Sequence, residues 1–197
     1  MIEHQCEMSF GGRGVRVRQR NRMRIHITGA SGTGTTTLAA ALAQELSLHH
    51  ADADNYYWLP TSPPFKEKRS ASDRIALLSE ALDSEPGVVL SGSVYGWGSE
   101  IEDAFDLIVF LYLPASLRVE RLRRREIERY GVADPAFLEW ASQYDEGPSE
   151  GRSLEKHKTW LAQRTCPVLR LDQDHTVAMR VAQVRQALHH PHARSAA

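Results

Sequence analysis

The chain has 197 residues, 42% hydrophobic and 25% charged, with a formal net charge of −1. That is enough for one compact domain with a sizeable core. The near-neutral balance argues against a nucleic-acid-binding body, and no apolar run approaches the ~18 residues of a membrane span. Cys6 and Cys166 suggest no disulfide framework, and the N-terminus lacks the apolar segment of a secretory signal, so a cytoplasmic setting is expected.

Residues 10–22, FGGRGVRVRQRNR, hold five arginines and no acid. Residues 1–22 are expected to be a disordered leader, or to precede a true start at Met23; the alternative is an arm that touches RNA or lipid. Residues 24–28, RIHIT, predict a short buried strand that runs into a glycine-rich turn. Leu38, Leu42 and Leu46 predict a helix that starts at Thr35. LHHADAD (48–54) reads as a second strand ending in acids, and WLPTSPPF (58–65) as a proline-broken loop. Ser70 and Asp73 have the spacing of a capping box, ahead of a helix with Ile75, Leu78 and Leu82 inward. GVVLSG (87–92) and LIVFLYL (107–113) predict buried strands. Pro114 stops the second, and Ser116 is the expected cap of a long Arg-rich helix. CPVLRL (166–171) is a last strand, and Val177, Val181, Val184 and Leu188 mark a closing helix. Residues 191–197 are expected to be a tail, leaving 23–190 as the domain. Apolar strands alternating with helices predict an α/β fold: one parallel sheet of about five strands with helices on both faces.

The turn after the first strand carries the chemistry. ITGASGTGTTTLAAAL (27–42) has the spacing G-x-x-x-x-G at Gly29 and Gly34, but Thr35 stands where a phosphate-binding loop has its Lys. Gly29, Ala30, Ser31, Gly32, Thr33, Gly34, Thr35, Thr36 and Thr37 are the candidate phosphate binders. Backbone N–H groups and a helix N-terminus trap anions without a Lys. Thr36 is the expected Mg²⁺ ligand. Two other readings stay open: a dinucleotide-binding turn with Asp52 or Asp54 on the ribose, and a turn that binds nothing. The first would need Gly at Thr35, and no Y-x-x-x-K follows in the chain.

Arg118, Arg121, Arg125 and Arg129 line one helical face, and Arg121 and Arg125 are the candidate charge clamps for phosphoryl transfer. With no Lys, one of these two is expected to take over part of its role. Asp52 and Asp54 would share a strand face, and Asp54 is chosen as the metal-proximal acid or base. Trp58, Phe65 and Trp97 could line an acceptor pocket or pack in the core. YDEGPSEGRS (144–153) is assigned no chemistry.

From Met23 onward the chain resembles the P-loop kinases of the adenylate kinase group, especially the small bacterial adenylate-kinase-like and topology-modulation proteins. GASGTGTTTLA is similar to the group's GxxGxGKTTLA, RLRRRE (121–126) to the Arg-bearing start of its lid, and CPVLRLD to its final strand and the turn near the adenine. Asp54 with Tyr56 and Tyr57 resembles the D-x-F-Y stretch of uridine-kinase-type enzymes. The chain departs from the group at Thr35 and at Ser91, where many relatives carry an acid for Mg²⁺. The resemblance implies a single-domain P-loop NTPase fold and an ATP- and Mg²⁺-dependent phosphotransferase acting on a nucleotide or small-molecule acceptor. The other functional readings are a non-catalytic nucleotide-binding regulator and an NAD(P)-binding reductase.

Overall fold

The computed structural model describes residues 22–147 and 151–189. The expected Arg-rich leader, up to residue 21, and the expected tail lie outside the described residues. Five strands form one all-parallel sheet in the order β2-β3-β1-β4-β5. They are β1 (Met23–Gly29), β2 (His49–Asp52), β3 (Gly87–Ser91), β4 (Leu107–Leu111) and β5 (Val168–Leu171). Each expected strand is present.

β3 and β4 are buried along their whole length, because helices cover both sheet faces. Alternation within each strand sorts the core into two layers. Ile25, Ile27, Val89 and Val109 point to one side. There they meet Leu38 and Leu42 of α1 (Thr35–Leu46) and Val184 of α8 (Val177–His189). Val88, Leu90 and Ile108 point to the other. They meet Leu78 and Leu82 of α3 (Ala71–Ser84), Ile101 of α4 (Ser99–Glu102) and Trp160 of α7 (Leu154–Ala162). A third, small cluster joins Leu122 of α5 (Ala115–Tyr130) to Leu138 and Ala141 of α6 (Pro135–Ser142).

Local signals explain most boundaries. The Ser70 hydroxyl accepts from the Asp73 N–H at 3.1 Å and starts α3 as its spacing predicts. Ser116 does not cap α5. Pro114 occupies the cap position without a side-chain bond, so Ser116 falls inside the helix. The second strand stops two residues early, because Asp52 caps a one-turn helix α2 (Ala53–Tyr57) through the Asp54 N–H at 3.0 Å. Asp52 and Asp54 therefore do not share a strand face. The strand order also removes the dinucleotide reading's acid. That reading needs β2 beside β1, whereas β3 lies between them.

Candidate active site

The glycine loop, Asp52, Asp54 and Ser91 collect at the carboxyl ends of β1, β2 and β3, where open α/β sheets bind ligands. The loop between β1 and α1 closes on itself: the Thr33 N–H and hydroxyl both donate to the Ala30 carbonyl, at 3.2 and 2.8 Å. Gly32 and Gly34 hold φ of +86° and +94°, a region that penalises a Cβ. A Cβ on Gly32 would also lie 2.6 Å from the Arg118 carbonyl oxygen. Gly34 caps α1 with no side-chain hydrogen bond, so the first N–H groups of the helix have no capping side chain. Free N–H groups at a helix start are chemically able to hold an anion.

Beside the loop stands an oxygen cluster. Asp52 Oδ2 accepts from the Thr36 hydroxyl at 3.0 Å and from the Ser91 hydroxyl at 2.8 Å. Asp52 and Ser91 are register partners on β2 and β3. A carboxylate thus stands beside Ser91, contributed from one strand over. Hard oxygen donors of this kind suit Mg²⁺. Among the described residues no group of three or more His, Cys, Asp or Glu could hold a metal by itself. Any Mg²⁺ here would depend on phosphate oxygens and water as well.

Asp54 sits in the first turn of α2, open to solvent at the rim. Surrounding protein and the like charge of Asp52 nevertheless raise its pKa, against the lowering pull of Arg152, a Trp58 hydrogen bond and Arg125. Arg125 thus acts on the candidate base, while its guanidinium also pairs with Glu126 at 3.0 Å. Arg152 lines a cleft with Ser31, Tyr144 and Trp140, reaching from the glycine loop to the α6–α7 connection. Burial lowers its pKa while Asp54 pulls it back up. Arg121 lies elsewhere: it donates to Asp174 in the turn after β5.

The expected ridge of arginines is broken at its first member. Arg118 is wholly buried. Its Nε donates to the Leu113 carbonyl at 2.9 Å and a terminal nitrogen to the Ala141 carbonyl at 3.0 Å. Arg118 holds α6 to α5 instead of reaching solvent. Arg123 and Arg124, which the spacing puts off this ridge, are exposed. The aromatic candidates also divide. Trp97 belongs to the core, whereas Phe65 is exposed and meets Trp58 edge-on at 6.1 Å.

An AAA-domain family matches residues 25–136, more than half of the chain. The chain belongs to the AAA domain family. The uncharacterized protein YqaC of Bacillus subtilis (strain 168) is 44% identical over 155 residues, covering 74% of this chain and 85% of that one. A shikimate kinase from Acinetobacter baumannii, solved with shikimate, superposes with a TM-score of 0.58 at 16% identity, covering 86% of this chain and 93% of that one. A gluconokinase from Sinorhizobium meliloti 1021 superposes with a TM-score of 0.50 at 18% identity, over 85% and 96% of the two chains. This AAA-family chain has the fold of the P-loop kinases.

Asp52 is among the sequence candidates without being the one chosen; Arg152 and Arg180, the latter donating to the Thr33 carbonyl of the glycine loop, are not among them. Arg152 lies in a polar stretch without periodicity, which gives no signal. Arg180 had one: it lies three residues after Val177 and four before Val184, on the apolar side of α8, where an unpaired charge is out of place.

Proposed function

We propose that this protein is an ATP-dependent phosphotransferase that moves the γ-phosphoryl group to a hydroxyl of a small-molecule acceptor. One observation carries the reading: Asp54 stands beside the Thr36–Asp52–Ser91 cluster with its pKa raised, within the influence of Arg152 and Arg125. A nucleoside monophosphate presents an ionised phosphate and needs no base. A hydroxyl must lose its proton, and a carboxylate of raised pKa takes it up. The acceptor oxygen bonds to the γ-phosphorus, the bond to the β–γ bridging oxygen breaks, ADP leaves, and the hydroxyl proton passes to Asp54. Thr36 and Asp52 are the residues that would hold Mg²⁺, which supplies charge neutralisation on the phosphates. Arg125 and Arg152, whose charges both act on Asp54, would face the negative charge that spreads during transfer. The names of the kinases that share the fold, shikimate kinase and gluconokinase, support a small-molecule acceptor.

Thr35 favours a second reading, a nucleotide-bound regulator that does not turn over, because the loop lacks its usual point charge on the phosphates. Turnover separates the two. ADP release from Mg²⁺ and ATP should be followed for the full chain against nucleoside monophosphates, nucleosides, sugars and hydroxy acids. A hydroxyl acceptor should stimulate release. Asp54→Asn should remove ~10²-fold or more of that rate, the usual worth of general-base catalysis. Activity should fall with decreasing pH along an acid limb displaced upward from the ordinary Asp value, because Asp54 must be ionised to act. Stimulation by nucleoside monophosphates alone, untouched by Asp54→Asn, would contradict the hydroxyl acceptor.

A further inference from the structure

Arg180 of α8 lies behind the glycine loop. Its side chain is only 5% exposed. One terminal nitrogen donates to the Thr33 carbonyl at 3.0 Å, and the other to the Gln173 carbonyl at 3.0 Å. Its Nε is buried with no partner among the described residues. A Cβ placed on Gly34 would lie 3.5 Å from the guanidinium, so this charge sits directly against the loop backbone. It is poorly neutralised. The nearest acid is Asp174 at 3.9 Å, and that carboxylate is already bonded to Arg121. Two cations thus share one half-exposed acid beside the glycine loop.

The Thr33–Gly34 peptide converts this position into an effect on the ligand side. A trans peptide holds its C=O and N–H in opposite directions. With the Thr33 carbonyl drawn toward Arg180, the Gly34 N–H points the opposite way, away from Arg180 and free to meet an anion. A cation on the carbonyl polarises the peptide and strengthens that N–H as a donor to an anion. The guanidinium also adds long-range positive potential in a partly desolvated setting.

We infer that Arg180 is a positioning residue that supplies, from behind the loop, part of the positive charge that Thr35 cannot. Its target is the polyphosphate of the nucleotide, acting through the Thr33–Gly34 peptide. This differs from the expectation that Arg121 or Arg125 takes over the role: Arg121 is occupied by Asp174, and Arg125 lies toward Asp54. The inference rests on the reading that the loop binds ATP.

The test is calorimetric titration of the full chain with adenosine, ADP and ATP in the presence of Mg²⁺. Arg180→Gln should weaken ATP by on the order of 10- to 100-fold, the worth of one nearby charge in a partly buried site. ADP should weaken as well, while adenosine changes little. Arg180→Lys keeps the charge and should stay close to the wild-type affinity for ATP. It carries the test if the Gln variant does not fold. Thr35→Lys added to Arg180→Gln should recover most of the loss. An equal loss for adenosine and ATP would overturn the inference, since it would make Arg180 a structural prop or a base contact. So would a Lys variant as weak as the Gln variant, or no recovery by Thr35→Lys. A wild-type chain that takes no ATP would instead contradict the reading of the loop itself.

Discussion

At the scale of single residues, the fold hides two histidines in neutral form. His26 on β1 is fully buried, stacks on Phe105 at 4.8 Å, and meets the Gly92 carbonyl at 3.1 Å. Burial pushes its pKa down to about 4. His157 on α7 bonds the Tyr144 hydroxyl at 2.6 Å, and burial followed by the charge of Arg152 pushes it down to about 3. Unfolded histidines titrate near 6.5, so below that pH the unfolded chain binds more protons than the folded one. Stability from both groups is therefore complete above about pH 6.5. It is lost as pH falls toward 4 and then 3, by on the order of 3 kcal/mol for His26 alone. Denaturant unfolding between pH 7 and pH 4.5 should show this decline. His26→Asn should start lower at pH 7 and decline less; equal slopes would show that His26 does not drive the loss. None of this was legible in RIHIT, where a histidine in a strand pattern carries no sign of what will cover it. The glycine loop was legible at residue scale, because backbone needs alone dictate where Gly32 and Gly34 fall.

At the scale of elements, α5 shows where a period is a guide and where it misleads. The steps from Arg118 to Arg129 do put these residues near one face, yet that face straddles the boundary of the core. Leu122 is buried one turn after Arg118, while Arg121 and Arg125 sit at the rim. Spacing finds a stripe but cannot say which edge faces inward when both are arginine. Arg118 lies over the Tyr144 ring at 5.1 Å and faces Asp145 at 3.3 Å, besides its two carbonyl partners. It thereby ties α5, which packs under Gly32, to the connection that carries Arg152. Arg118→Met should cost roughly 3–5 kcal/mol of unfolding free energy, because it leaves two buried carbonyls unpaired and a partly buried carboxylate without its cation. A loss below about 1 kcal/mol in equilibrium unfolding would show that the tie is dispensable. The second strand is the converse case. Its existence was legible, but its end was not, since an Asp at a strand terminus either continues the ladder or turns to cap a helix. Asp52 caps, and that single choice carries Asp54 to the rim.

At the scale of the whole molecule, parallel order brings distant segments to one edge. β1 brings the loop, β2 brings Asp52, β3 brings Ser91, β4 leads into the arginines of α5, and β5 leads to Asp174 and Arg180. The sheet was legible because each strand is short, apolar and separated from the next by a helix. The site was legible only in its continuous part, the loop. Its other parts depend on strand order, which puts Asp52 beside Ser91 although 39 residues separate them in sequence. The central claim is that a loop without a Lys, helped by Thr36 and Asp52, binds ATP with Mg²⁺. The most direct measurement is titration of the full chain with ATP, in Mg²⁺ and in a chelator, for wild type and Asp52→Asn. The account predicts that wild type binds ATP and loses roughly tenfold or more in affinity when Mg²⁺ is removed, and that Asp52→Asn abolishes most of this dependence. ATP binding that ignores both Mg²⁺ and Asp52, or no ATP binding at all, would contradict it.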